Sequence, residues 1–229
     1  GVPLATSRTT VSAFLEQWLD SHASRIRERT LYGYRNVLRR YVIPALGDVR
    51  LTQLRAASIE ALYSSLLKRG LAPRTVLQTH RILKKALKQA VRLGLSSHNP
   101  ADLVDPPSFE PKEMVTLSGG QLAELLHAVI DTPYGAPIYL AAHTGMRRGE
   151  LVGLQWPDID FENAVISIKR EVVFVPGSGY LVTPPKSAKS RRAIDITSKV
   201  VAELRGHRVA QAEHRLRLGP AWKDGDWVF

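Results

Sequence analysis

The chain has 229 residues, 44% of them hydrophobic, which is enough for two domains with a core each. It has no cysteine, no HExxH-like spacing among its seven histidines, no apolar run of membrane length and no signal-peptide pattern, so disulfides and thiolate metal sites are excluded and a soluble cytoplasmic protein without a structural metal is expected. Its net charge of +11 is uneven: residues 1–110 carry 17 basic and 8 acidic groups, residues 111–229 carry 15 and 13, so the excess lies in the first half.

Residues 1–9 read as an irregular end piece. Thr10 offers the hydroxyl of an N-cap and opens a helix whose Phe14, Leu15, Trp18 and Leu19 share an apolar face. A second helix is expected after Thr30, with Leu31, Tyr34, Leu38 and Tyr41 at helical spacing, ending before Pro44 and Gly47. Burial accounts for those tyrosines more simply than stacking on bases does. Ser58–Lys68, closed by Gly70, reads as a third helix, and Pro73 opens a fourth that runs to Leu93 and stops at Gly94.

That fourth helix has two faces. Val76, Leu83, Leu87, Ala90 and Val91 form an apolar one; Arg74, Arg81, Lys84, Lys85, Lys88 and Arg92 fall opposite, within an arc of roughly 100°. No acidic residue lies between Glu60 and Asp102. An ordinary solvated surface mixes both signs, so a face this one-sided points to a polyanion, each cation neutralising a phosphate and releasing counterions.

Residues 97–116 carry four prolines and little periodicity and read as an interdomain linker. Ser118 with Gln121 three residues on is a capping box that opens the next helix, and another spans Ala136–His143. Beyond Pro157, the segments Ala164–Arg170, Tyr180–Thr183 and Arg192–Ile196 have strand character, with Pro176, Gly177, Ser178 and Gly179 as turn residues between them. A last helix is expected from about Lys199 to His214, and Trp227–Phe229 looks like the start of a further strand. The fold class is mainly α with a small antiparallel β-sheet.

Two stretches carry chemistry. In His143–Asp160, HTGMRRGELVGLQWPDID, a helix beginning near Met146 would put Arg147, Glu150, Leu151 and Leu154 on one face and Arg148 on another. Arg147 then sits on the face to be buried, where a guanidinium needs an anion. A structural Arg–Glu pair at i,i+3 is one account. A phosphate clamp is the other: Gly145 and Gly149 leave room for a backbone or a ligand, and a planar fork backed by a carboxylate suits a phosphate. The second stretch, residues 183–196, TPPKSAKSRRAIDI, crowds Lys186, Lys189, Arg191 and Arg192 onto an expected hairpin, either as a solvated basic turn or as a DNA contact.

The run TGMRRGELVGLQWPDID resembles the first arginine box of the tyrosine recombinases, the phage-integrase family of DNA strand-exchange enzymes, and the resemblance extends from TVSAFLEQWL to DGDWVF. It implies a four-helix, SAM-like core-binding domain over residues 10–96 and the first part of a catalytic domain over residues 117–229. It also implies double-stranded DNA at a recombination site as partner, further copies of the protein on that DNA (a tetramer in complete members), no membrane and no cofactor. In the family's reaction a tyrosine hydroxyl attacks a phosphate to give a 3′-phosphotyrosyl link, which a 5′ hydroxyl later resolves. Two arginines and a histidine stabilise the phosphorane, and a lysine assists the leaving oxygen. On this pattern Arg147 is the first arginine, Glu150 its support, and Lys186 the lysine, in a matching Pro-Lys-Ser setting; Lys189 is a weaker match.

The His-x-x-Arg box and the tyrosine are missing from the pattern. His214-Arg215-Leu216-Arg217 spells such a box but falls too soon after the expected hairpin and reads as the basic end of a helix. The last tyrosine, Tyr180, precedes Lys186. The resemblance therefore implies a recombinase cut short. The alternatives are a DNA-binding protein that occupies recombination sites without cutting and, with less support, a nicking enzyme of the type IB topoisomerase kind.

Overall fold

In a computed structural model, residues 8–110, 113–186, 190–223 and 225–229 are described. The chain divides into two compact units, Gly1–Glu113 and Met114–Phe229. Among the described residues no helix is long and apolar enough to cross a membrane.

The first unit is helical. Helix α1 (Val11–Ala23) starts where the Thr10 hydroxyl accepts the Ala13 amide at 3.3 Å, and it buries Phe14, Leu15, Trp18 and Leu19. Helix α2 (Glu28–Val37) begins at Glu28, not after Thr30, because Arg27 takes the extended N-cap conformation. Nor does the helical rod end before Pro44. It passes through a π turn, Leu38–Val42, into α3 (Ile43–Leu46). The widened turn has already interrupted the i→i−4 ladder, so a proline without an amide is tolerated in the next first turn. Helix α4 (Ala56–Lys68) starts two residues before Ser58 and is closed by Gly70 at φ +81°. Helix α5 (Pro73–Arg92) follows the expected boundaries, with Gly94 at φ +70° as its stop.

The stretch read as linker begins as part of this core. Asn99 caps a 3₁₀ turn, Pro100–Leu103, by accepting the Ala101 amide at 3.1 Å, and it donates to the Lys84 carbonyl of α5 at 3.2 Å. Pro100, Ala101 and Val104 are buried, so the prolines here shape a packed turn and do not extend a tether.

In the second unit, the Ser118–Gln121 capping box opens α6 (Gly119–Val129), with both reciprocal bonds present at 3.3 and 2.9 Å. Helix α7 (Gly135–Thr144) leads to the short α8 (Arg148–Val152). Two small antiparallel sheets follow. Strands β1 (Ile159–Asp160), β2 (Val165–Ser167) and β5 (Ala193–Asp195) form one, in the order β1-β2-β5, with buried Ile166 opposite Ile159 and Ile194. Strands β3 (Glu171–Val175) and β4 (Gly179–Thr183) form a separate hairpin.

The expected strand over Ala164–Arg170 is therefore shorter, Ala164 being held in a turn at φ 52°, and β3 is a strand that the reading did not place. Residues 183–196 are not one hairpin either: β4 pairs with β3 while β5 pairs with β2, so the basic stretch connects two sheets. Helix α9 (Ser198–Leu218), capped by Thr197, is a turn longer than expected. At the end of the chain Trp227 makes a single bridge to Gln155, and the Val228 amide donates to the Leu154 carbonyl at 3.0 Å.

A candidate phosphate site around Glu150

Helix α7 is closed by its own last residue. The Thr144 hydroxyl donates to the Leu140 carbonyl at 2.6 Å, and Gly145 takes the left-handed conformation at φ 63° that a side chain would strain. Met146 is then buried, and Arg147, in extended conformation at ψ 151°, becomes the N-cap of α8 instead of lying within the helix.

This overturns the expected burial. The Arg147 side chain is 68% exposed, and it is Glu150, 2% exposed, that is buried. Glu150 sits at the third helical position, where its carboxylate accepts the Arg147 amide at 3.0 Å and the Arg147 guanidinium at 2.8 Å. An anion there also meets the positive end of the helix.

A second guanidinium closes on the same carboxylate. Arg192 donates to Oε1 at 3.0 Å and to Oε2 at 2.9 Å, a bidentate pair made across 42 residues of chain. Burial alone would raise the Glu150 pKa from its ordinary 4.5. The hydrogen bonds from Arg192 and from the Arg147 amide and guanidinium outweigh it and bring it down to about 2. Conversely, the bond to Glu150 raises the pKa of Arg192.

Gly149 of α8 serves close packing: a Cβ there would stand 3.0 Å from the Val172 carbonyl, so the room it leaves is filled by the backbone of β3, whereas a Cβ on Gly145 would meet nothing. A second buried carboxylate, which the sequence reading did not single out, braces the same region. Asp158 accepts the Gln155 amide at 3.1 Å, pairs with Lys169 at 3.2 Å, and takes both terminal nitrogens of Arg170. Only its place one residue after a proline, three residues beyond Gln155, hinted at it.

Lys186 is exposed, three residues beyond the end of β4, on the connection that Arg192 fastens to Glu150 at its other end. Arg191, next to Arg192 in the chain, is exposed; Lys189 lies outside the described residues. His214 to Arg217 fall inside α9, where Arg217 pairs with Glu213 at 3.6 Å.

In the first unit, Arg74, Arg81, Lys85, Lys88 and Arg92 of α5 are exposed. Lys85 lies 5.1 Å over the Tyr34 ring and donates to its hydroxyl at 3.2 Å. Lys84 differs from the rest: it pairs with Asp102 at 3.0 Å, because the buried turn at Pro100–Leu103 folds that carboxylate back onto the helix. The run without acidic residues is real in sequence but interrupted in space.

Two family profiles match the chain: "Phage integrase, N-terminal SAM-like domain" over residues 10–67 and "Phage integrase family" over residues 116–212. An integrase of Saccharopolyspora erythraea is 23% identical over 96% of this chain and 63% of its own length. A protein of Caldanaerobacter subterraneus named tyrosine recombinase XerC-like is 27% identical over 93% of this chain and 59% of its own. The chain thus spans less than two thirds of the length of these curated relatives. Among solved structures, the Tn1549 transposon integrase in complex with a circular intermediate DNA superposes with a TM-score of 0.80 at 21% identity, covering 96% of this chain and 71% of that one. A lambda integrase dimer bound to a COC′ core site gives 0.61 at 19%, covering 96% and 56%. At these identities the likeness is one of fold.

Proposed function

The chain belongs to the phage integrase family, and from that premise we propose that it is the DNA-gripping and arginine-bearing part of a site-specific recombinase that cuts and rejoins double-stranded DNA through a 3′-phosphotyrosyl intermediate. The observation that carries this reading is the mostly exposed guanidinium of Arg147, anchored from behind by the buried carboxylate of Glu150. A planar fork offered to solvent, of which only one nitrogen donates to Glu150, suits two non-bridging phosphate oxygens as they gain charge.

The residues then divide the work. The exposed cations of α5 bind backbone phosphates. Arg147 holds the scissile phosphate, and the Lys186 ammonium delivers a proton to the 5′ oxygen as the P–O5′ bond breaks and the tyrosyl O–P bond forms. The energy of the phosphodiester is kept in the link.

We assign the tyrosine and the second arginine box to polypeptide outside these 229 residues. In the second unit Tyr139 is stacked on His143 at 4.2 Å and Tyr180 packs against Phe174 at 5.2 Å. Helix α6 buries none of its residues. An open groove of about 1140 Å³, lined by Ile130, Tyr134, Ile138, Val152, Ala210 and Phe229 among others, leaves apolar surface for further chain to cover. On the DNA, further copies of the protein are the expected partners.

A nicked duplex that traps the covalent intermediate tests the proposal. The longer protein should give a slow-migrating adduct, and its Arg147→Lys variant should lose cleavage by about a hundredfold, since a point charge cannot replace the fork. The 229-residue chain should give none. An adduct mapped to any tyrosine from Tyr32 to Tyr180, or full cleavage by Arg147→Ala, would overturn it; binding without any adduct from the longer protein would favour a non-cutting occupant of recombination sites.

A further inference from the structure

The two arginines on Glu150 are not equivalent. Arg192 stands immediately before β5, and its carbonyl accepts the Ile168 amide at 2.9 Å, so its backbone is tied into the sheet next to β2. Its side chain is 31% exposed and both of its terminal nitrogens donate to the carboxylate, one of them also to the Ser190 carbonyl at 3.5 Å. Arg147 stands on an N-cap, is 68% exposed, and gives one nitrogen to Glu150. Among the described residues its other guanidinium nitrogens have no hydrogen-bond partner.

Glu150 cannot be left alone. A buried carboxylate deprived of its cation carries an uncompensated charge away from water, and the penalty exceeds what one surface contact returns. Were Arg147 its sole cation, turning toward a phosphate would strand that charge. A second, fixed fork removes the difficulty.

Resting on the reading of Arg147 as the phosphate clamp, we propose that Arg192 is a positioning residue: it holds Glu150 permanently in a bidentate pair so that Arg147 is released to engage the phosphate. This replaces the expectation that Arg192 contacts DNA itself.

The test uses the 229-residue chain, a short mixed-sequence DNA duplex as probe, and the Nε–Hε signal of Arg147 in NMR spectra. In the unaltered chain the duplex should shift that signal. In Arg192→Gln, Arg147 should stay on Glu150, the shift should vanish and duplex affinity should fall about tenfold, the scale of one charge-assisted hydrogen bond. Arg192→Lys should restore part of the response. Neutralising the carboxylate should restore it too: Glu150→Gln combined with Arg192→Gln should respond as Glu150→Gln alone does. A direct phosphate contact by Arg192 would instead leave the double variant about tenfold weaker than Glu150→Gln, and that result overturns the proposal, as does a full response in Arg192→Gln. Should Arg192→Gln not fold, the comparison of the double variant with Glu150→Gln decides. No response of Arg147 to duplex in the unaltered chain would sink the clamp reading itself and this inference with it.

Discussion

The two units are built from nearly equal lengths of chain, yet they hold themselves together differently. Among the described residues the first unit buries 24 apolar side chains in one cluster, and its buried polar groups, His22, Thr79, His80 and Asn99, carry no formal charge in their neutral forms. The second buries 11 apolar residues in its cluster, with Val175 buried apart from it, and two carboxylates, Glu150 and Asp158, and leaves Ile130, Tyr134, Phe174, Tyr180 and Val182 more than half exposed. The first is a platform whose order comes from packing and whose cations act as a sum. The second is ordered locally by ion pairs around buried anions, where each cation acts through its position.

The widest gap between them should appear in the response to truncation. Trp18, 2% exposed and stacked near Tyr34 at 5.7 Å, is part of a closed core, so Trp18→Ala should cost about 4 kcal/mol and unfold the first unit selectively. Val152, 40% exposed on α8, should cost under about 0.5 kcal/mol as Val152→Ala. Denaturant titrations followed at amide signals of each unit separate the two. Equal costs would mean that the second unit has a closed core of its own and would break the contrast.

The same contrast explains what could be read from the residues alone. Helices α1 and α5 announce themselves because cap, periodicity and stop signal agree locally. The start of α8 does not: arginine is not a capping type, so periodicity runs back through Arg147 and implies burial of a charge that the structure leaves outside. What actually fixes Glu150 beside Arg147 is a fork from Arg192, 42 residues on, and helical spacing holds no information on that pairing. Strand β3 was hidden for a similar reason, since Glu171–Val175 is a run without clean alternation whose partner and packing on α8 are tertiary facts. Lys84 shows the failure within the first unit, where a single buried turn brings Asp102 onto a face that looked purely basic.

Acid should take the units apart in different windows. The pKa of His80, buried beside the Tyr63 hydroxyl at 3.0 Å, is lowered below 6.5, first by burial and then by Lys84; that of His22 is lowered likewise by burial. A depressed folded pKa means stability present above the unfolded value and lost as pH falls through the folded one, so the first unit should begin to weaken below about pH 6.5. Glu150 obeys the same sign with other limits. Its contribution, about 3 kcal/mol for a shift from 4.5 to about 2, is present above pH 4.5 and lost between there and about pH 2. Melting curves across pH 2 to 7 should show Glu150→Gln flattening only the lower window (about 2 to 4.5) and only in the second unit. A flattening of the upper window would assign the linkage to the wrong group.

The smallest effect separates summed charge from positioned charge within α5 itself. Lys88 is exposed on that helix, whereas Lys84 is paired with Asp102, both side chains being about half exposed at 43% and 56%. Such a surface pair adds little to stability, but it matters for DNA: if Lys84 turns to a phosphate it leaves Asp102 beside the same polyanion, so the two contribute almost no net charge. Lys88→Ala should therefore lower the slope of log affinity against log salt by about 0.9, the value of one phosphate contact on duplex DNA, while Lys84→Ala should leave it nearly unchanged. Asp102→Ala should raise both affinity and slope by freeing Lys84, and it should do so without new protein contacts. Equal slopes for Lys84→Ala and Lys88→Ala would show that the pair opens on DNA without penalty, and that even in the platform unit charge is counted by position in the sequence and not by its neighbours in space.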